Sequence, residues 1–541
     1  MKRFASLLLA LLIVVPSVRA TERRPNFLVI VADDLGYSDI GAFGGEIHTP
    51  NLDRLALAGI RLAGFHTAPT CSPTRSMLLS GTDNHLAGLG TMAEMIRPNQ
   101  KGKPGYEGYL RRDVATLAER LAAGGYSTLF SGKWHLGLTP EQDPYARGFQ
   151  RSFALLQGGH NHFGTDVGTT ATYTEQGKPL TTLPSDFYSS DYFASRLIDF
   201  LGERQAGRAG RPFFAYLAFT APHWPLQAHP ADIARYRGLY DAGFDALRRQ
   251  RLERQRKLGI LSADVVPHTP RNRDGSWDSL TADQQRTAAR NMEIYAAMVD
   301  RLDQNVGRVI ETLRASGELG NTVIVFLADN GAEALDVETT GAEMLGRYAK
   351  DADNSFANRG AASSYVTYGA GWAQAATAPS WLTKGYQSEG GTRAVAFVSG
   401  ANIPRRKGAD RQFLSVADVA PTLLELAGVN PAQTDVEGRT VRPITGRSWL
   451  TWLQNPKARV YADTDGFGSE LFGSRAYRQG DWKLTDVGDG VWRLFNIARD
   501  PGETHDLSLL EPVRQEALAD AWLRYSRQVG VIAPDSIPYR P

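Results

Sequence analysis

Five continuous apolar runs, each about one buried strand long, constrain this 541-residue chain more than any other feature. They are Phe27 to Ala32, Tyr126 to Ser131, Phe213 to Phe219, Thr322 to Ala328 and Ala394 to Ser399. A strand with one wet face alternates apolar and polar residues; a run without alternation suits a strand covered on both sides. Helical patterns lie between the runs: Leu52 to Leu62, Asp113 to Ala123 closed by Gly124, Ser190 to Leu201, and a long one from about Ala282 to Leu313. This alternation predicts an α/β fold, a large and mostly parallel sheet flanked by helices on both faces. In such sheets ligands gather beyond the carboxyl ends of the strands. Residues that carry chemistry are therefore sought directly after the runs, and four of the five runs are followed by candidates.

The helical stretch from about Asp418 to Ala427, stopped by Gly428, is the last clear piece of this unit. From about residue 450 the texture changes to short alternating stretches, Arg459 to Ala462, Asp481 to Thr485 and Gly490 to Phe495, followed by a helix from Pro512 to Tyr525. The expected organisation is a main domain over 21–450 and a smaller C-terminal antiparallel sheet with one helix over 451–541. Segments 231–285 and 335–385 have weak strand signals and read as excursions over the ligand end of the sheet. Residues 1–20 read as a signal peptide: Lys2 and Arg3, an apolar run from Phe4 to Val15, then Pro16 and the small residues Val18 and Ala20. That run is shorter than the roughly 20 residues a bilayer requires, and no later segment supplies them. An exported, periplasmic or secreted protein without a membrane span is expected, and Lys2-Arg3 is not a twin-arginine signal. Lys and Arg number 60 against 58 Asp and Glu, a net charge of +2, so no global field gathers nucleic acid. The basic cluster Arg248, Arg249, Arg251, Arg254, Arg256 and Lys257, interleaved with leucines, reads as a solvated helix face.

The chain has one cysteine, Cys71, which rules out an intramolecular disulfide. It lies in Thr70-Cys71-Ser72-Pro73-Thr74-Arg75. Proline suits a first helical position, which puts Cys71 just before a helix N-terminus and Arg75 one turn inside it. Backbone N–H groups and a guanidinium directed at one spot make an anion site. Asp33 and Asp34 end the first run, and Asp329 and Asn330 end the run at Thr322 to Ala328. Four hard oxygen donors at one sheet edge make a fair calcium site. Lys133 and His135 follow the second run and point to one side if the extended geometry persists. His223 lies just past the third run, and Lys384 lies in a loop before the fifth.

The core Cys71, Pro73 and Arg75, then Gly125-Tyr126-Ser127-Thr128 leading to Gly132-Lys133-Trp134-His135, and finally Asp500-Pro501 with Glu503, resemble the formylglycine-dependent sulfatases of the arylsulfatase type. The resemblance runs through nearly the whole mature chain; Ser80 stands where the family pattern has Thr, Ala or Arg. It implies the alkaline-phosphatase-like fold and the hydrolysis of sulfate esters, aryl sulfates foremost, to alcohol and inorganic sulfate. It implies one Ca²⁺ per chain on Asp33, Asp34, Cys71, Asp329 and Asn330, and a partner, the formylglycine-generating enzyme, that oxidises Cys71 to formylglycine (3-oxoalanine). The hydrated aldehyde offers one hydroxyl to attack sulfur and a second through which the sulfate is later expelled, a step that serine could not perform. By the same resemblance Lys133 and Arg75 hold the diol, and His135 takes the proton from its second hydroxyl. His223 with Lys384 binds sulfate and protonates the leaving oxygen, and Asp329 is the base toward the attacking hydroxyl. His160 and His162 are candidates for the substrate mouth.

Two other readings stand beside this one. A phosphonate monoester or phosphodiester hydrolase of the same superfamily tends to carry Asp-His after the later strand and a softer metal, whereas this chain has Asp329-Asn330, which favours Ca²⁺. An exported binding protein that has lost catalysis would be expected to lack Cys71, Arg75 or a metal carboxylate, and all are present.

Overall fold

The computed structural model describes residues 23–207, 210–270, 275–338 and 351–537, so the expected signal segment lies outside the described residues. The apolar runs form the middle of a ten-stranded sheet. Five neighbours run parallel, in the spatial order Thr322–Ala328, Asn26–Ala32, Phe213–Ala218, Ser127–Lys133 and Arg151–Leu155. Four of the five strands from the apolar runs are buried along their length, and the fifth is exposed only at Gly400, as the absence of alternation requires. Their register fixes the site. Ala32 pairs with Ala328, while Val31 and Gly132 both pair with Ala218. Asp33, Asp329 and Lys133 therefore leave the sheet along one edge.

The sheet is mostly parallel at its centre, as expected, and mixed toward its edges. Strand Ala396–Gly400 runs antiparallel to Thr322–Ala328, and Tyr173–Glu175 and Lys178–Leu180 add antiparallel strands at the far side. An apolar run reports burial and carries no sign of direction. Reversal of the fifth strand explains why no chemistry follows it: its beginning, not its end, lies at the ligand edge, and Lys384 comes just before it. Helices cover both faces. The Ser127 strand touches Ser189–Gly207, which packs on the long helix Ala282–Ala315, and it also touches Leu117–Ala123, which packs with Cys71–Ser80 and Val419–Leu426. Among the described residues no helix is long and apolar enough to cross a membrane.

The basic cluster lies on helix Gly243–Lys257, and the expectation of a solvated face fails for two of its six residues, Arg248 and Arg251. Arg251 is wholly buried, its Nε and Nη2 donating to Glu46 at 2.8 Å and its Nη1 pairing with Asp39. Arg248 is also buried and donates to the carbonyls of Gln374 and His268. Spacing of three on the inner face, beside Leu247 and Leu252, turns both guanidinium groups into the fold.

Toward the C-terminus four strands, Gly466–Leu471, Ser474–Gln479, Trp482–Asp486 and Arg493–Asn496, form an antiparallel meander, and helix Pro512–Val529 packs on it through Leu518 against Leu484 and Leu494. The stretch Arg459 to Ala462 is not a strand. Its Ala462 N–H donates to the Asp465 carboxylate and its Tyr461 hydroxyl to Asp418, so these groups are spent locally. The first hairpin turns at Phe472 and Gly473, both with positive φ (58° and 84°).

Candidate active site

Helix Cys71–Ser80 begins two residues earlier than the proline signal suggests, at Cys71 itself, after an extended Thr70. Pro73 then sits third, where a backbone N–H still has no partner within the helix, so its absence costs nothing. Cys71 and Arg75 are both buried, and the start of the helix meets the strand ends through Asp33 and Asp329. The Cys71 thiol donates to Asp33 Oδ1 at 3.5 Å. One ligand atom each from Asp33, Asp34, Cys71 and Asp329 lie within 4.8 Å of one another. Asn330 Nδ2 donates to Asp34 Oδ1 at 2.6 Å, while its Oδ1 is buried without a partner among the described residues.

Cations surround this acidic centre. Lys133 Nζ donates to Asp33 Oδ2 at 2.6 Å, and Lys384 Nζ lies 2.7 Å from Asp34 Oδ1 and 3.2 Å from Glu333. Arg75 donates to Asp329 Oδ2 through Nε (3.0 Å) and Nη2 (2.7 Å), and to the Lys133 carbonyl through Nη1 (2.9 Å). His223 Nε2 lies 3.6 Å from Asp34 Oδ2, and its Nδ1 approaches the Trp224 carbonyl at 2.5 Å. Burial alone would raise the carboxyl of Asp34, yet Lys384, His223 and Lys133 hold it at about 2. Asp329 is pushed up to about 6 by burial and by the neighbouring Asp33, against the pull of Arg75. Burial drives the Cys71 thiol well up, so the unmodified side chain is a poor thiolate nucleophile. Burial also drives His223 well down.

Three buried carboxylates at one point repel one another, and an amide oxygen beside them lacks a donor. A hard divalent cation answers both conditions, so the donor set fits calcium. Arg75 and Lys133, read by resemblance as holding the group on residue 71, are engaged here with Asp329 and Asp33.

Comparison with known proteins agrees with this geometry. Residues 25–429 match the family model described as Sulfatase. The chain belongs to the sulfatase family. An uncharacterized sulfatase of Schizosaccharomyces pombe is 48% identical over 537 residues, covering 96% of each chain. An arylsulfatase of Klebsiella aerogenes is 41% identical, covering 79% of this chain and 92% of its own. Among solved structures, Ps i-CgsB in complex with k-i-k-neocarrahexaose superposes with a TM-score of 0.66 at 23% identity, over 95% of both chains, which shows the shared fold. The protein is thus a sulfuric ester hydrolase, with the large mixed sheet and the small C-terminal antiparallel sheet of this fold.

In this sulfatase the acidic centre opens into a cavity of about 860 Å³ lined by Cys71, His135, His223 and Lys384 on one side. Met92, Met95, Trp224 and Tyr365 line it elsewhere and join an apolar cluster with Leu335, Leu471 and Phe472. The two candidate histidines part company. His160 lines the cavity, but both its ring nitrogens are engaged, with Thr220 at 2.8 Å and Tyr173 at 2.5 Å. His162 is buried behind it, between Ser189 and the His223 carbonyl, and braces the loop instead of forming the mouth. Sequence reasoning missed Glu333 and Glu94. Glu333 follows Asn330 by three residues, and the strand-end rule could have found it; Glu94, which meets His135 at 3.1 Å, sits in a short turn with no periodic signal.

Proposed function

We propose that this sulfatase uses Cys71 as formylglycine together with one Ca²⁺ held by Asp33, Asp34, Asp329, Asn330 and residue 71, and that aryl sulfates are its substrates. The observation that carries the reading is the position of Cys71: first residue of a buried helix, within 4.8 Å of three carboxylates and ringed by Arg75, Lys133 and Lys384. A cation there would neutralise sulfate oxygens, and an aldehyde at residue 71 would supply a nucleophile that regenerates itself. The chain's own residues supply the rest. Lys384 and His223 face Asp34 from the cavity side and are positioned to bind the ester and protonate its leaving oxygen. Lys133 and Arg75, both wholly buried, stabilise charge around residue 71. Asp329, next to Arg75, is the base toward the attacking hydroxyl, and His135 is the base that completes turnover. The wall of Met92, Met95, Trp224 and Tyr365 supports a flat apolar leaving group.

Residues 1–20 support export, and the motif around Cys71 supports a transient encounter with a formylglycine-generating enzyme. Mass spectrometry of the Cys71 peptide from protein that turns over a simple aryl sulfate tests the proposal. An aldehyde or its hydrate is expected; fully active protein with only free thiol overturns it. A panel of aryl, alkyl and carbohydrate sulfates should favour the aryl esters.

A further inference from the structure

Four constraints hold His135. It leaves the Ser127–Lys133 strand with φ of 56°, a conformation uncommon outside glycine. Its backbone N–H donates to the Leu156 carbonyl at 3.2 Å. Its ring lies against Gly158, where an added Cβ would come within 2.4 Å of Cε1. The fourth constraint is polar. Glu94, in the turn Ala93–Met95, brings Oε1 to 3.1 Å from His135 Nε2. The Glu94 side chain is about half exposed (48%), and that of His135 is nearly buried (9%).

A carboxylate only accepts hydrogen bonds, and a neutral imidazole carries one proton. Nε2 opposite Glu94 must then be the protonated nitrogen, which leaves Nδ1 with its lone pair. Nδ1 is buried and has no hydrogen-bond partner among the described residues. An orphaned acceptor inside a folded protein is costly unless something donates to it. Both side chains line the cavity that also holds Cys71.

We infer that Glu94 is a positioning residue for His135: its carboxylate keeps the proton on Nε2 and makes Nδ1 the atom that accepts a proton during turnover. This rests on reading His135 as the base that completes the reaction. When Nδ1 takes a proton from a hydroxyl, Nε2 keeps its own, and the charge gained by the ring develops 3.1 Å from Glu94. The arrangement is that of a base oriented by a third group.

The test uses full-length protein labelled with ¹⁵N-histidine, the His135 signals being assigned by their loss in His135→Asn. In the wild type the ring nitrogens should report the Nε2–H tautomer, and in Glu94→Ala the Nδ1–H form should gain population. With phenyl sulfate, kcat of Glu94→Ala should fall about 10- to 100-fold, part of the roughly 100- to 10,000-fold that a positioned base supplies, with KM little changed. Glu94→Gln, which keeps an acceptor oxygen and loses the charge, should recover part of that loss and carries both measurements should Glu94→Ala fail to fold. An unchanged tautomer, or a loss confined to KM or to thermal stability, overturns the inference. A changed tautomer with unchanged kcat would instead overturn the reading of His135 as the base and leave the pairing standing.

Discussion

Gly132 contributes no side chain, yet the position of Lys133 depends on it. Its φ of 129° and its strand partner leave no room: an added Cβ would lie 1.8 Å from the Ala218 carbonyl oxygen. Gly132→Ala must therefore move the strand end, and the expected result is a loss of about 2 kcal/mol or more of stability with activity nearly abolished, read by thermal unfolding and aryl sulfate turnover. The two candidate acids differ for a similarly local reason. With Nδ1 of His223 donating to the Trp224 carbonyl, Nε2 can donate only when the ring carries both protons, whereas Lys384 always has an N–H to give while charged. Lys384→Ala should therefore slow esters of weakly acidic phenols more than esters of acidic ones, and His223→Ala should show a shallower dependence. Uniform losses across the phenol series in both variants would leave these residues a binding role alone.

At the level of elements, the site is a set of strand ends with one helix start. The strands were readable because burial on both faces leaves an unbroken apolar run, and Asp33, Lys133, His223 and Asp329 were readable because they stand next to those runs. Strand direction was not, since Ala396–Gly400 is as apolar as its neighbours and runs the other way. Nor was the hairpin at Phe472: phenylalanine at a φ of 58° is held by tertiary packing, not by turn chemistry. Glu94 reaches His135 across 41 residues from a short turn, a relation that no local pattern encodes. The oxygen-only donor set carries its own prediction. Asn330→Asp keeps an oxygen ligand and should retain metal, while Asn330→His offers an imidazole nitrogen and should lose Ca²⁺ and sulfatase turnover together. Elemental analysis with activity after chelation and calcium re-addition reads both; two zinc or manganese ions with phosphodiesterase exceeding sulfatase activity would contradict the calcium assignment.

Across the whole molecule, the C-terminal meander is tied to the edge of the site. Glu503 accepts from the Glu389 backbone N–H at 2.8 Å, and Lys483 bridges the Glu389 and Glu503 carboxylates at 3.0 and 2.9 Å, fixing the segment between Lys384 and the Ala396 strand. A second tie is a buried ion cluster. His85, just past helix Cys71–Ser80, lies 3.3 Å from both Asp83 and Glu470 of the meander, and Tyr525 of the last helix donates to Asp83 at 2.8 Å. Burial pulls His85 down, but the two flanking carboxylates, Asp83 at Nδ1 and Glu470 hydrogen-bonded to Nε2, outweigh it and push the ring up to about 9. A histidine ordinarily titrates near 6.5, so the folded protein holds this proton after the unfolded chain has released it. The stabilisation is fully present below about pH 6.5 and is lost as pH rises through about 9; a rise from 6.5 to about 9 corresponds to about 3 kcal/mol. Denaturant unfolding at fixed calcium between pH 6.5 and 9.5 should therefore show stability falling in the wild type. His85→Gln should be less stable at pH 6.5 and should lose much less across the same window. Equal pH slopes in the two proteins would mean that His85 is not charged in the folded state, and that the meander is held to the catalytic unit by packing and the Lys483 bridge alone.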